Sequence, residues 1–159
     1  MAAEIARLTG FGLVVATGTD VDEAAAYERR VRETARGPLV FYVEIQGDSR
    51  AESADRIEIA TVGVDAEQAQ KLRTLLELVR DAHLRVRASA LRLAVRVEPA
   101  DPVFYATSGA KRAGILRLPQ RALHIELPRL ARQEGRALYT LILADFLREA
   151  ITLPLPARR

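Results

Sequence analysis

Residues 108–127 read SGAKRAGILRLPQRALHIEL, and this stretch decides how the second half of the chain folds. It begins with a loop of small residues that carries Lys111 and Arg112. After the loop, leucine and isoleucine alternate with polar residues on both sides of a proline, which indicates two half-buried strands joined by a tight turn. We predict these strands at 114–118 and 122–127 and expect them to belong to an antiparallel β-meander.

The predicted hairpin assigns its side chains to two faces. Leu116 lies opposite Ile125 on the buried face, whereas Arg117 becomes a neighbour of His124 on the exposed face. Glu126 shares that exposed face with His124, because side chains two residues apart in a strand point the same way. A histidine, a glutamate and an arginine can together perform acid–base chemistry on a phosphate. The same trio is also an ordinary cross-strand charge cluster of a protein surface, and we assign no catalytic residue.

The preceding part of the chain, residues 11–97, alternates between strand and helix periodicity. Two helices are indicated by N-caps at Thr19 and Asp65, each followed by an apolar stripe. The last strand has a buried apolar face and an outer face that carries Arg92 and Arg96. The predicted elements are a strand at 11–18, a helix that ends at Gly37, strands at 39–46 and 56–64, a helix that begins at Asp65 and ends between Leu84 and Ser89, and a strand at 91–97.

This β-α-β-β-α-β order is that of a ferredoxin-like core, so we predict a single α+β domain over residues 1–159. Residues 103–151 then add the β-meander and a C-terminal helix, and residues 152–159 form a flexible basic tail. The main alternative is one larger mixed sheet, in which strands from 103–127 continue the first four. The order of elements carries no activity by itself, because this fold hosts many unrelated functions.

The C-terminal helix, predicted from Pro128 to about Ile151, is apolar over more than one face. Leu138 and Leu141 widen its apolar stripe beyond what a one-sided surface helix needs. A helix of this kind can pack against another subunit. A homo-oligomer, or a protein partner bound through this helix, is therefore one hypothesis for the chain.

Composition and motifs exclude several classes of protein. The 159 residues contain no cysteine, which excludes thiolate metal sites and cysteine nucleophiles. The two histidines and the acidic residues have no recognised metal-ligand spacing, and His83 lies on an apolar helical stripe, so we expect no metal and no cofactor. Gly109 and Gly114 have the spacing of the two glycines in a Walker A loop. The lysine and the hydroxyl residue that follow the second glycine in such a loop are absent here. No apolar run approaches the ~20 residues that cross a bilayer, so we expect a cytoplasmic protein without membrane contact.

Charge is distributed unevenly along the chain. Residues 1–82 hold 10 basic and 15 acidic residues, a net charge of −5, whereas residues 83–159 hold 14 basic and 6 acidic residues, a net charge of +8. A basic half can bind the phosphate backbone of a nucleic acid, or the acidic half of a neighbouring subunit. The residues that we predict to contact nucleic-acid backbone are Lys111, Arg112, Arg92, Arg96, Arg117 and Arg121.

Three functions follow, in decreasing order of preference. The first is a non-enzymatic protein that binds RNA or DNA backbone through its basic C-terminal half, as a subunit of a larger assembly. The second is a structural or regulatory homo-oligomer, or a protein-interaction module, without nucleic acid. The third is an acid–base enzyme centred on His124, Glu126 and Tyr105. Aromatic residues are only 5% of the chain, so few side chains can stack on bases. Contact with the backbone is therefore the expected mode of nucleic-acid binding.

Overall fold

A mixed four-stranded sheet with helices organises the described part of the chain. The computed structural model describes residues 1–15, 21–85, 92–104 and 114–154. Within these residues the architecture is α+β, as predicted, with four strands and five α-helices. No helix among these residues is both long enough and apolar enough to span a membrane.

The sheet is built from strands that are far apart in sequence. The strands are β1 (Phe41–Asp48), β2 (Arg56–Val62), β3 (Ala94–Val97) and β4 (Arg121–Pro128). Their order across the sheet is β1-β4-β2-β3. The central strand β4 pairs in parallel with β1 and antiparallel with β2, and β2 pairs in parallel with β3. The strands β1 and β3 are therefore the edges of the sheet.

Three helices cover one face of the sheet and form the main core. The described residues form five α-helices: α1 (Ala2–Thr9), α2 (Val21–Thr34), α3 (Ala66–Leu84), α4 (Arg129–Arg132) and α5 (Arg136–Ala150). The three that supply most of the main core are α1, α3 and α5. The alternation of β4 places Leu123, Ile125 and Leu127 on this face, where each is fully buried against residues of α1, α3 and α5. Burying side chains of this size contributes roughly 1.5–3 kcal/mol each.

The wide apolar stripe of α5 is used inside the chain. This helix packs between α1, α3 and the sheet, so it is buried on several sides. Leu138 is buried, and Leu141 is the exposed large apolar residue of the helix. The stripe therefore has an intramolecular explanation, and the described helix leaves little apolar surface for another subunit.

The second face of the sheet is partly covered by α2. Val31 of this helix is buried with Tyr42 of β1 and Ala122 of β4. The hydroxyls of Tyr27 and Tyr42 are hydrogen-bonded at 2.8 Å. Further along the strands, the second face carries charged side chains in place of an apolar layer.

One predicted strand is wrong, and the predicted hairpin is wrong with it. The expected strand at 114–118 contains a short 3₁₀ helix, Ile115–Arg117, in which Leu116 is buried in the smaller core beside α2. The following strand, β4, has β1 on one side and β2 on the other. A strand has only two edges, so the segment before the proline has no place beside β4, and Leu116 does not pair with Ile125.

The ferredoxin-like order and the meander are not confirmed. The strand β4 lies between β1 and β2, which follow one another in the chain. Residues 11–15 are not in a strand, and the rest of the predicted strand at 11–18 is outside the described residues. The helix α3 ends at Leu84, and its predicted continuation toward Ser89 is also outside them, as are the loop with Lys111 and Arg112 and most of the C-terminal tail.

Candidate functional site

A cluster of charged side chains occupies the second face of the sheet. The pairing register sets Glu44 of β1 beside His124 of β4, and one row further on it sets Glu126 of β4 beside Glu58 of β2. We call Glu44, Glu58, His124, Glu126 and the nearby Arg50 the sheet cluster. Three of its members are nearly inaccessible, with exposures of 3% for Glu58, 3% for His124 and 6% for Glu126.

His124 joins two glutamates. Its Nδ1 lies 3.0 Å from Glu44 Oε2, and its Nε2 lies 2.8 Å from Glu126 Oε1. Burial alone would lower the pKa of His124, but the hydrogen bonds to Glu126 and Glu44 and their negative charge raise this pKa to about 9. At neutral pH His124 is therefore an imidazolium that donates both N–H groups. Burial would raise the pKa of Glu44, and the bond to His124 lowers it below its ordinary value.

Glu58 and Glu126 are like charges on directly opposite positions of neighbouring strands, an arrangement that is unfavourable by itself. Cations and a backbone donor compensate it. Glu58 accepts from Arg56 Nε at 2.8 Å and from the N–H of Phe104 at 2.9 Å. Arg50 lies 3.8 Å from Glu58. The carboxylate of Glu58 is thus contacted by neighbours on several elements, and that of Glu126 by His124.

Arg50 is itself fixed from two sides. Its side chain and its backbone N–H donate to the carboxylate of Asp48, which also accepts from Ser53. The hydrogen bonds from Arg50 hold the pKa of Asp48 well below its ordinary range, although burial opposes this shift. The guanidinium carbon lies 3.7 Å from the centre of the Phe104 ring, a cation–π contact.

The sheet cluster has the geometry of a structural charge network. A general base should have a pKa near the working pH and a free nitrogen. His124 has a raised pKa, and both of its nitrogens are occupied by carboxylates. Among the described residues, no group of three or more histidine, aspartate or glutamate side chains is arranged to hold a metal ion. The cluster ties β1, β4 and β2 together through charge.

The predicted surface position of His124 and Glu126 is wrong. Both side chains are buried, and the partner that sequence analysis missed is Glu44, which lies 80 positions earlier in the chain. Arg117 is not beside His124, because β1 and β2 occupy both edges of β4. Its guanidinium instead lies 3.9 Å from Glu28 of α2.

The arginines predicted to bind nucleic acid do not form one group of free cations. Arg92 is ion-paired with Asp81, and Arg96 lies 3.5 Å from Asp101. Both are exposed, and Arg96 lies on the outer face of β3, as the alternation predicts. Lys111 and Arg112 lie outside the described residues.

Arg121 is buried rather than exposed. Its guanidinium donates to the carbonyls of Ala150 at 3.0 Å, Leu153 at 2.9 Å and Pro154 at 2.7 Å. Burial lowers the pKa of Arg121. These carbonyls belong to the last residue of α5 and to the segment directly after it, where the helix dipole favours a cation, so Arg121 caps this helix instead of facing solvent.

Among the described residues, no strand pairs with the outer edge of β1, which we call the open edge. The N–H of Arg121 donates to the carbonyl of Val40 at 3.0 Å, and Phe41 is the parallel partner of Arg121. Even-numbered residues of β1 therefore direct their backbone groups toward β4. Backbone groups that point the other way belong to Phe41, Val43 and Ile45. Within the described part of the chain, these outward N–H and C=O groups have no hydrogen-bond partner.

An apolar groove of about 630 Å³ lies beside the first half of this open edge. Its walls come from the segment after α1, from α2 and from β1. The lining includes Phe11, Val14, Val31, Phe41 and Val43. Leu13 and Val15, at 40% and 57% exposure, and Val40, at 48%, add exposed apolar surface nearby. Sequence periodicity correctly predicts a strand near 39–46 but does not reveal that it is an edge.

Comparisons with known proteins identify no relative. No family model matches the chain, and no curated protein or solved structure matches it significantly.

Proposed function

We propose that this chain is a non-enzymatic protein-interaction module that binds an extended segment of a partner along the open edge of β1. The observation that carries the proposal is an eight-residue edge strand with unpaired outward backbone groups beside an apolar groove. Strand addition of this kind obtains affinity from main-chain hydrogen bonds and specificity from pockets for alternate side chains.

The composition of the edge supports this proposal. Soluble proteins protect open edges with proline, lysine, bulges or a covering element, because an unprotected edge pairs with other chains. The strand reads FYVEIQGD, with no proline and no lysine. In the described part of the chain, Arg132 covers the far end of the strand, where it donates to the carbonyl of Asp48 at 2.9 Å. The apolar first half of β1 is left available to a partner.

Replacing Ile45 by proline should abolish binding of extended peptides while the protein remains folded. The N–H of Ile45 points away from β4, and edge positions of this kind tolerate proline. The measurement is a selection from a displayed library of random peptides, followed by affinity measurement of the selected peptides against the wild type and Ile45→Pro. Circular dichroism checks the fold of the variant.

Ile45→Ala is the matched control, because it removes the same side chain but keeps the N–H donor. We expect it to bind the selected peptides within about threefold of the wild type, since the side chain of Ile45 packs against the main core and the peptide is held by backbone hydrogen bonds. Selected peptides that bind Ile45→Pro as tightly as the wild type would contradict strand addition, and so would a library that yields no binder.

Nucleic-acid binding is the second candidate, favoured by the net charge of +8 in residues 83–159. Lys111 and Arg112 are the residues that we propose for it. We expect the double variant Lys111→Ala/Arg112→Ala to weaken a mobility shift of single-stranded RNA at low salt, and raising the salt concentration to abolish the shift. The control is the double variant Arg29→Ala/Arg30→Ala, which removes the same amount of positive charge from α2. Absence of any shift at low salt with RNA or DNA would eliminate this candidate.

The interior of the fold argues against the remaining hypotheses. The hypothesis of self-association through the C-terminal helix depends on an exposed apolar stripe, and the apolar stripe of α5 is buried within one chain. An acid–base enzyme centred on His124 would need a free ring nitrogen, and both ring nitrogens of His124 are hydrogen-bonded to Glu44 and Glu126.

A further inference from the structure

We infer that the segment bound along β1 is a free C-terminus, whose carboxylate is held by the backbone N–H groups of residues 12–14 and by Arg36. This inference rests on the proposed strand addition and specifies its ligand. The ligand class is an extended peptide that ends in apolar residues and carries an unblocked terminal carboxylate.

The loop after α1 lies at the correct end of the groove. The rings of Phe11 and Phe41 are in edge-to-face contact, with centroids 6.0 Å apart, so the loop is beside the first residue of β1. A strand that adds antiparallel to β1 runs from the Asp48 end toward Phe41. Its C-terminus therefore arrives at this loop, whereas its preceding residues lie along the outward groups of Val43 and Ile45.

The loop offers donors without acceptors. Gly10 turns the chain at φ 75°, and its own N–H is used by the carbonyl of Ala6. The N–H of Phe11 donates to the hydroxyl of Thr9. The next three N–H groups, those of Gly12, Leu13 and Val14, have no hydrogen-bond acceptor within the described part of the chain. Backbone N–H groups that lack an acceptor can bind a terminal carboxylate.

The charge of the groove matches an anion. Arg36 is the only charged residue among the described residues that line the groove. It is exposed and therefore accessible to a ligand. Most of the other lining side chains are apolar, including Val31 and Phe41, and the hydroxyl-bearing ones are Tyr27, Thr34 and Tyr42. Such a groove accepts apolar side chains at the last and third-last positions of the peptide, because these share one face of an extended chain. It offers no described carboxylate to balance a basic terminus.

Two matched peptide pools test the inference. Each pool contains fluorescein-labelled hexapeptides with valine, leucine, isoleucine or phenylalanine at the last and third-last positions. One pool has a free C-terminal carboxylate and the other is the carboxamide. Fluorescence anisotropy with the full chain should give at least tenfold tighter binding of the free acid, since hydrogen bonds to a charged group are the strong ones.

Variants of the chain separate the carboxylate site from the edge. Arg36→Gln should weaken the free acid by about threefold to tenfold and leave the carboxamide unchanged. Ile45→Pro should abolish binding of both pools. Equal affinities of acid and carboxamide, both lost in Ile45→Pro, would overturn the carboxylate inference while strand addition stands. Binding of neither pool, or binding that survives Ile45→Pro, would overturn both. Self-association lost in Ile45→Pro, without carboxylate preference, would identify a second copy as the occupant and also overturn the inference.

Discussion

Gly63→Ala should destabilise the protein by about 3 kcal/mol, because the alanine meets both backbone strain and a steric clash. Gly63 follows the last residue of β2 with φ +66°, in the left-handed region that L-residues avoid. A Cβ at this position would lie 2.0 Å from the carbonyl oxygen of Gln120. That oxygen belongs to backbone that cannot move freely, since the N–H of Gln120 donates to Leu39 and β4 begins at the next residue.

Gly10→Ala is the control that isolates the clash. Gly10 also has a left-handed φ, +75°, but nothing lies within 4 Å of its Cβ position. Its replacement should cost about 1 kcal/mol, the strain of the left-handed conformation reduced by the lower entropy of the unfolded chain. Urea unfolding of both variants measures the difference. Equal losses of stability would mean that the contact between the residue 63 turn and Gln120 does not constrain the start of β4.

Local sequence signals predicted the helices α2, α3 and α5 and the faces of several strands. Asp65 caps α3 by accepting from the N–H of Gln68 at 2.8 Å, the position that the capping pattern indicates. Val95 and Val97 are buried and Arg96 is exposed, as the alternation of period two requires. These features depend on neighbours within a few residues, so a single sequence is enough to predict them.

The topology of the sheet could not be predicted in the same way. Placing β4 between β1 and β2 joins residues about 80 positions apart in one direction and about 65 in the other. Alternation in β4 identifies its two faces but not its neighbours. Because polar residues alternate with apolar ones there, His124 and Glu126 read as a solvated face. Only the pairing with β1 brings Glu44 to His124 and makes burial of the charges possible.

The uneven charge of the chain is balanced partly within the molecule. Basic residues of the second half pair with acidic residues of the first half, as in Arg92 with Asp81 and Arg117 with Glu28. His124 does the same with Glu44 in the interior. The opposite charges of the two halves therefore serve folding in part, and an electrostatic surface for nucleic acid has to come from the cations that remain.

Stability should fall by about 3 kcal/mol between pH 6 and pH 10, because His124 holds a proton in the folded state that the unfolded chain releases. The folded pKa is about 9 and the ordinary value is 6.5. A group whose pKa is raised on folding stabilises the folded state fully at pH values below its unfolded-state pKa. This stabilisation is lost as the pH rises through the folded-state pKa. Between these two values the free energy of unfolding should decrease by about 1.4 kcal/mol per pH unit.

Two variants assign this pH dependence to His124. His124→Gln should be less stable than the wild type at pH 6, since it leaves Glu44 and Glu126 without their cation, and its stability should be flat from pH 6.5 to 9. His83→Gln removes the other histidine of a chain that has no cysteine, and should keep the decline. Urea denaturation at half-unit steps of pH is the measurement. A wild-type profile as flat as that of His124→Gln would show that the imidazolium does not bind the two glutamates more strongly in the folded state, and the sheet cluster would then contribute packing rather than charge.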